Sequence, residues 1–331
     1  MSTPREQSNR RAIACIVAAA LLLSTLAGAA TGATRVAAGK APSWQPGRPP
    51  SGLGFGFGSA WIKGGTLLRI DPRTNRKVGT LVVRGDAGWP VAVDDSLWLS
   101  NAGEITKVDP ATNQVVGKIA VDTSTRDSMA YGFGSLWIAT RTGRLLRVDL
   151  ATAKVVADVR VQGPADWSPQ IATGLGSVWV ASGDEHAVIR VDPETNEVAA
   201  TIGGISKIYS LLTVGVGFDA VWAHASAAAS GRGILYRIDP ATGKVVSALT
   251  TSRRVGDPYG GTNIAIGGGS IWTANGNGTV SRISPRPLRV VRTTTPPFEN
   301  PLFVGFAFGS VWIQDGNTGR AIRIPASKFG R

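Results

Sequence analysis

The chain has 331 residues, a formal net charge of +13, 43% hydrophobic and 17% charged residues, and 42 glycines. That apolar share excludes a disordered chain, which could not bury enough surface to offset its ordering entropy. The single cysteine, Cys15, excludes a disulfide framework and a cysteine-based metal site. Length alone allows one to three domains, but an internal repeat argues for one stacked body.

At the N-terminus, Arg5, Arg10 and Arg11 precede an apolar run over residues 12–26, and Ala27-Gly28-Ala29 supplies small residues in an A-x-A arrangement. This pattern predicts a signal peptide over residues 1–29 and export of the remainder. An uncleaved run would instead act as a membrane anchor. Cys15 would leave with the signal. Residues 1–29 carry three Lys/Arg and one Asp/Glu, so the rest of the chain keeps +11. A basic surface of this kind suits anionic partners, or is simply a solvated arginine-rich exterior.

Residues 30–50 form the next segment. TRVAA at 34–38 reads as a short strand, and APSWQPGRPPS at 41–51 reads as an extended connector because its prolines forbid regular helix. From residue 51 to 331 the chain repeats. Trp61, Trp98, Trp137, Trp179, Trp222, Trp272 and Trp312 recur at intervals of 37, 39, 42, 43, 50 and 40 residues, the period of a four-stranded propeller blade.

Each unit has a short apolar stretch, a Gly-Ser turn, an apolar run around the Trp, a polar loop, a run ending in Asp-Pro or its relic, and a final apolar run. In Val178-Trp179-Val180 both faces of the strand are apolar, so each small sheet needs cover on both sides, as in a ring of sheets. The expected fold is all-β: a seven-bladed β-propeller of four-stranded blades. The seventh unit supplies only three strands before residue 325, so the last blade is expected to be closed by an N-terminal strand, residues 34–38.

Arg69, Lys107, Arg147, Arg190, Arg237, Arg282 and Arg323 hold one position in seven consecutive units. If Thr140 pairs with Arg144 across its hairpin, Trp137 faces Arg147, and a guanidinium stacks on each indole. The Asp-Pro-x-Thr elements at Asp71, Asp109, Asp192 and Asp239 read as turn chemistry rather than as a metal or catalytic carboxylate set.

The repeats GSLWIATRTGRLLRVDLATAKVV and GSVWVASGDEHAVIRVDPETNEVAATI resemble the YVTN-type propeller repeats of secreted bacterial proteins, in the group that includes virginiamycin B lyase-like propellers. The resemblance covers residues 51–326. It implies a propeller fold and leaves activity open, since members serve as binding modules, surface proteins or enzymes. A lyase of the virginiamycin B type would carry a His/Glu pair and a divalent metal in late blades, with acidic residues just after the repeated Trp. Of the residues three past each Trp (Gly64, Asn101, Thr140, Ser182, Ala225, Asn275 and Asp315), one is acidic.

Two functions of different class follow. The first is a secreted, non-catalytic binding or interaction module. The second is an enzyme of the lyase type with a metal-assisted site in the channel. In an up-and-down blade the loop after strand two and the connection to the next blade share one face. Those connections hold Trp89, Trp167, Tyr209, Tyr259 and Phe298, where a turn needs only Gly, Pro or Asn. With Arg126, Arg253 and Arg254, and with the loop residues His186 and His224, they form the candidate ligand site, although His224, two residues after Trp222, also reads as an end-of-strand packing histidine. The ligand expected there is an anionic or aromatic small molecule, a cell-wall polymer or a protein. No metal, cofactor or catalytic residue is assigned, and a monomer is expected.

Overall fold

The computed structural model describes residues 34–35, 41–47, 52–83, 88–124, 127–164, 169–205, 211–227, 232–252, 263–275, 277–298 and 300–330. The expected signal peptide lies outside them. Seven antiparallel blades form a ring, each running outward in chain order. Blade one holds Gly52–Gly56, Ser59–Lys63, Leu67–Asp71 and Arg76–Leu81; blade five, the longest, holds Leu211–Gly217, Ala220–Ala227, Arg232–Asp239 and Lys244–Ser252. The first strands contact one another all the way round, and the seventh blade's first strand, Pro301–Ala307, meets that of blade one. They line the axis closely enough that glycine is required in places. A Cβ on Gly54 would strike the backbone of Pro90 in the next blade.

The repeated tryptophans hold blade to blade. Trp61 packs against Leu97, Leu99 and Val108 of blade two, and Trp312 packs against Ala60, Ile62 and Leu68 of blade one, so the apolar core is a set of interfaces between sheets. Burial of a large side chain on each interface is the main stabilising term. In six of the seven blades, all but that of Trp98, the indole N–H donates within its own blade: that of Trp137 to the Gly132 carbonyl at 3.1 Å and that of Trp179 to the Gly174 carbonyl at 2.9 Å.

Opposite each Trp stands the repeated cation. Trp137 faces Arg147 in register, and Thr140 N donates to Arg144 O at 2.8 Å across the hairpin. Across the seven blades the cation lies 5.1 to 5.9 Å from the indole centroid. The guanidinium also bridges blades. Arg147 Nε donates to Ser135 Oγ of its own Gly-Ser turn at 2.8 Å, while Nη1 donates to Pro193 O at 2.7 Å and Asn196 Oδ1 at 3.0 Å in blade four. Arg69 reaches Pro110 O of blade two, and Arg323 reaches Pro72 O of blade one across the closure.

The Asp-Pro elements are turns. Asp71 Oδ1 accepts from Arg73 N at 2.8 Å and Asp109 Oδ1 from Ala111 N at 2.7 Å, while Asn75 and Asn113 take φ of 58°. Those backbone N–H groups hold the carboxyls of Asp71 and Asp109 below the usual carboxylate range.

Ring closure differs in place from the expectation. Residues Thr34–Arg35 pair in parallel with Thr294 and Thr295 on the outer edge of blade six. The strand that completes blade seven is Ser43–Trp44, antiparallel to Ile322 and Ala321, within the segment read as connector. Trp44 stacks on Trp312 with centroids 5.3 Å apart, and the next residues clamp both neighbours: Gln45 Nε2 donates to Thr318 O at 2.6 Å, and Pro46 O accepts from Thr66 N of blade one at 2.8 Å. The prolines on either side exclude helix but leave a two-residue edge strand free to form.

A candidate ligand site at the channel mouth

Antiparallel order puts the Gly-Ser and Asp-Pro turns on one face of the ring. The loops after strand two and the connections between blades lie on the other. At the mouth of this second face, the inner strands present one register position seven times. It is the residue two before the one that faces the repeated Trp: Gly52, Trp89, Ser128, Gln170, Thr213, Asn263 and Phe303. None carries a charge. The position divides by chemistry into an aromatic side, blades seven to two, and an amide and hydroxyl side, blades three to six.

The aromatic side is built on a glycine. Trp89 is half-buried and lies across Gly52, where a Cβ would stand 2.9 Å from Trp89 Cγ. It thereby crosses blade one and meets Phe303 of blade seven edge to face, centroids 5.0 Å apart. Such a pair contributes about 0.5–1.5 kcal/mol beyond area burial. On the polar side, Asp127 next to Ser128 is fully buried and its carboxylate organises a loop, accepting from Ser124 N and Oγ at 2.7 Å and Arg141 N at 3.2 Å.

In blade five the polar side continues inward. Thr213 faces His224 across the sheet, and Ser226 faces Gly233. His224 is fully buried and its Nε2 meets Thr251 Oγ1 at 3.0 Å. A Cβ on Gly233 would come within 3.1 Å of both His224 Nε2 and Ser252 Oγ, so these groups crowd one spot. His224 Nδ1, Ser226 Oγ and Thr213 Oγ1 are buried without a hydrogen-bond partner. Each such atom costs about 1–3 kcal/mol. Burial without a compensating charge lowers the His224 pKa to about 4, so the imidazole is neutral at neutral pH.

Of the residues assigned from sequence, Trp89 is at the mouth and His186 is half-buried in the loop over residues 183–186 of the same face. His224 is not a loop residue, because the second strand of blade five runs on to Ala227 and carries it inside. Phe298 is 9% exposed and packs with Val304, Val311 and Ile313 under Arg320, so it is a core plug. Trp167, Tyr209, Tyr259, Arg126, Arg253 and Arg254 lie outside the described residues. Sequence reading missed Phe303, Gln170, Thr213 and Asn263. Counting two residues back from the partner of each Trp would have found them.

The Asp315 carboxylate, the acid three past a repeated Trp, is committed to its own turn. It accepts from Thr318 N at 3.1 Å and Thr318 Oγ1 at 2.6 Å. Among the described residues no three His, Cys, Asp or Glu side chains converge as a metal site would require, and no helix is long and apolar enough to cross a membrane.

The fold defines a seven-bladed β-propeller, and among the described residues the inner-strand position at its mouth is part aromatic and part amide or hydroxyl. No family model matches the chain, and no curated protein matches it. Solved structures match in fold. BamB from Moraxella catarrhalis is 16% identical, with 83% of this chain and 84% of that one covered and a TM-score of 0.58. A chain of Kuenenia stuttgartiensis hydrazine synthase is 14% identical, covering 91% and 99%, TM-score 0.68. A chain of the mitotic checkpoint complex is 9% identical, covering 91% and 97%, TM-score 0.69.

Proposed function

We propose that the protein is an exported, non-catalytic binding module whose ligand sits in the channel mouth on the face of the blade-to-blade connections. The observation that carries this reading is Trp89 laid across Gly52 onto Phe303, half-exposed and facing a polar arc. An aromatic wall with a few placed polar groups is the usual make-up of a ligand site. The resemblance of the repeats to YVTN-type propellers, and the signal-like N-terminus, support export and a place among such proteins. The fold alone does not decide the role, since the structural neighbours include a chain of an enzyme and a chain of a multiprotein complex.

Two measurements test this. Thermal-shift screening against cell-wall fragments and aromatic metabolites should give a stabilising ligand whose effect is lost in Trp89→Ala and kept in Phe133→Ala on the opposite face. A ligand indifferent to Trp89→Ala would place the site elsewhere. Fractionation of cells expressing the full chain should find it outside the cytoplasm with its N-terminus near residue 30. Intact Met1 in the cytoplasm would overturn export.

A further inference from the structure

We infer that the mouth recognises an uncharged, hydroxyl-rich ligand, a neutral carbohydrate, and that Thr213, Ser226 and His224 of blade five form its hydrogen-bonding subsite. The inference rests on the mouth being the binding site and adds the ligand's class.

Three observations combine. The seven residues at the mouth position are Gly, Trp, Ser, Gln, Thr, Asn and Phe, so an ionic group entering there would lose its hydration without gaining a counter-charge from this ring. A sugar ring has an apolar C–H face that packs on an aromatic plane, and hydroxyls at its edge that both donate and accept. Trp89 with Phe303 supplies the plane, and the opposite arc supplies groups of matching character. Most specifically, Thr213 Oγ1, Ser226 Oγ and His224 Nδ1 are at least nine-tenths buried, lie on one face of one sheet, and have no partner within the protein.

Native interiors rarely leave three neighbouring polar atoms unpaired, so a cluster of this kind marks a place where something else completes the bonds. Two are hydroxyls and the third is one nitrogen of a neutral imidazole, whose other nitrogen is held by Thr251. Hydroxyls and a neutral imidazole match alcohol groups, which donate and accept in turn, and offer a carboxylate or phosphate no charge. Thr213 stands at the mouth and His224 and Ser226 lie behind it, so ligand hydroxyls meet Thr213 directly and the other two directly or through ordered water.

The test is calorimetric titration of the protein with neutral trisaccharides (maltotriose, cellotriose, chitotriose) and with the anionic trigalacturonate. The expected result is binding of at least one neutral trisaccharide, no measurable binding of trigalacturonate, and an affinity loss of about tenfold or more in both Thr213→Val and Ser226→Ala. Thr213→Val keeps shape and removes only the hydroxyl, and unchanged melting of the unliganded variant shows that it folds. Binding of none of the neutral sugars, or preference for trigalacturonate, overturns the inference. So does neutral binding that both hydroxyl variants leave unchanged. If a ligand of another class binds and is lost in Trp89→Ala, the mouth remains the site and only the carbohydrate assignment fails. If a sugar binds and Trp89→Ala does not weaken it, the mouth reading falls as well.

Discussion

His224 shows what a single buried group does to the molecule as pH changes. Burial lowers its folded pKa to about 4, from the ordinary histidine value of 6.5. As pH falls below 6.5 the unfolded chain takes up a proton that the folded protein refuses, so stability is full above that value, declines as pH falls and reaches its floor below about 4. The gap corresponds to roughly 3 kcal/mol. Urea unfolding should therefore show a lower midpoint at pH 4.5 than at pH 7, with most of that difference absent in His224→Gln. The carboxyls of Asp71 and Asp109 are held below the usual carboxylate range by backbone hydrogen bonds, first among them those from Arg73 N and Ala111 N, and so titrate below this window. A parent midpoint independent of pH over that range would show that the imidazole is reached by solvent. A second residue-scale case is Ala153, which takes φ of 55° in the turn where other blades place Asn75, Asn113, Asn196 or Gly243. A left-handed alanine costs about 1 kcal/mol relative to glycine, so Ala153→Gly should raise the melting temperature measurably.

At the scale of the element, the unit that holds the ring together is the Trp strand with its facing cation. Arg147 stacks on Trp137, ties its own Gly-Ser turn and reaches the Asp-Pro turn of the next blade. Its loss in Arg147→Ala should cost about 2 kcal/mol, from the cation–π contact and the hydrogen bonds together. Arg147→Lys should fall between the two, since blade two already works with Lys107, whose ammonium lies 5.9 Å from the Trp98 centroid. Equal melting of all three proteins would remove the bridge from the account of stability. This element was legible in the sequence because hairpin register follows from the strand alternation, and register alone sets Trp against Arg. The mouth was legible only in part. Trp89 stands out as an aromatic in a connection, whereas Thr213 and Phe303 look like ordinary strand residues until the strands are aligned on their tryptophans. His224, two residues after Trp222, fits either the end of a strand or the loop beyond it in sequence, and the longer strands of blade five decide for the strand.

For the whole molecule the question is what closes the circle. The number of blades and the need for an N-terminal closing strand follow from counting strands, but which residues close it does not. TRVAA has the β-branched look of a strand, while Ser43–Trp44 is bracketed by Pro42 and Pro46 and has no local propensity to recommend it. What selects Ser43–Trp44 is tertiary: the open edge of Ala321–Pro325, the face of Trp312, and acceptors and donors on blades seven and one that Gln45 and Pro46 engage. Two truncations separate the segments. Removing residues 1–40 takes away the parallel pairing on blade six, two residues on an edge that is already complete, and should change the melting temperature little. Removing residues 1–46 strips blade seven of its outer strand, uncovers Trp312 and leaves a row of unpaired backbone groups at the seam. That loss should cost several kcal/mol and, because an exposed edge is a template for pairing, should also produce concentration-dependent association in sedimentation. Trp44→Ala in the full chain should reproduce about 2 kcal/mol of the loss without the association, since the backbone ladder remains. If the shorter truncation destabilised the protein as much as the longer one, closure would lie with residues 34–35 on blade six, and the Trp44–Trp312 stack would be a surface contact with little bearing on the ring.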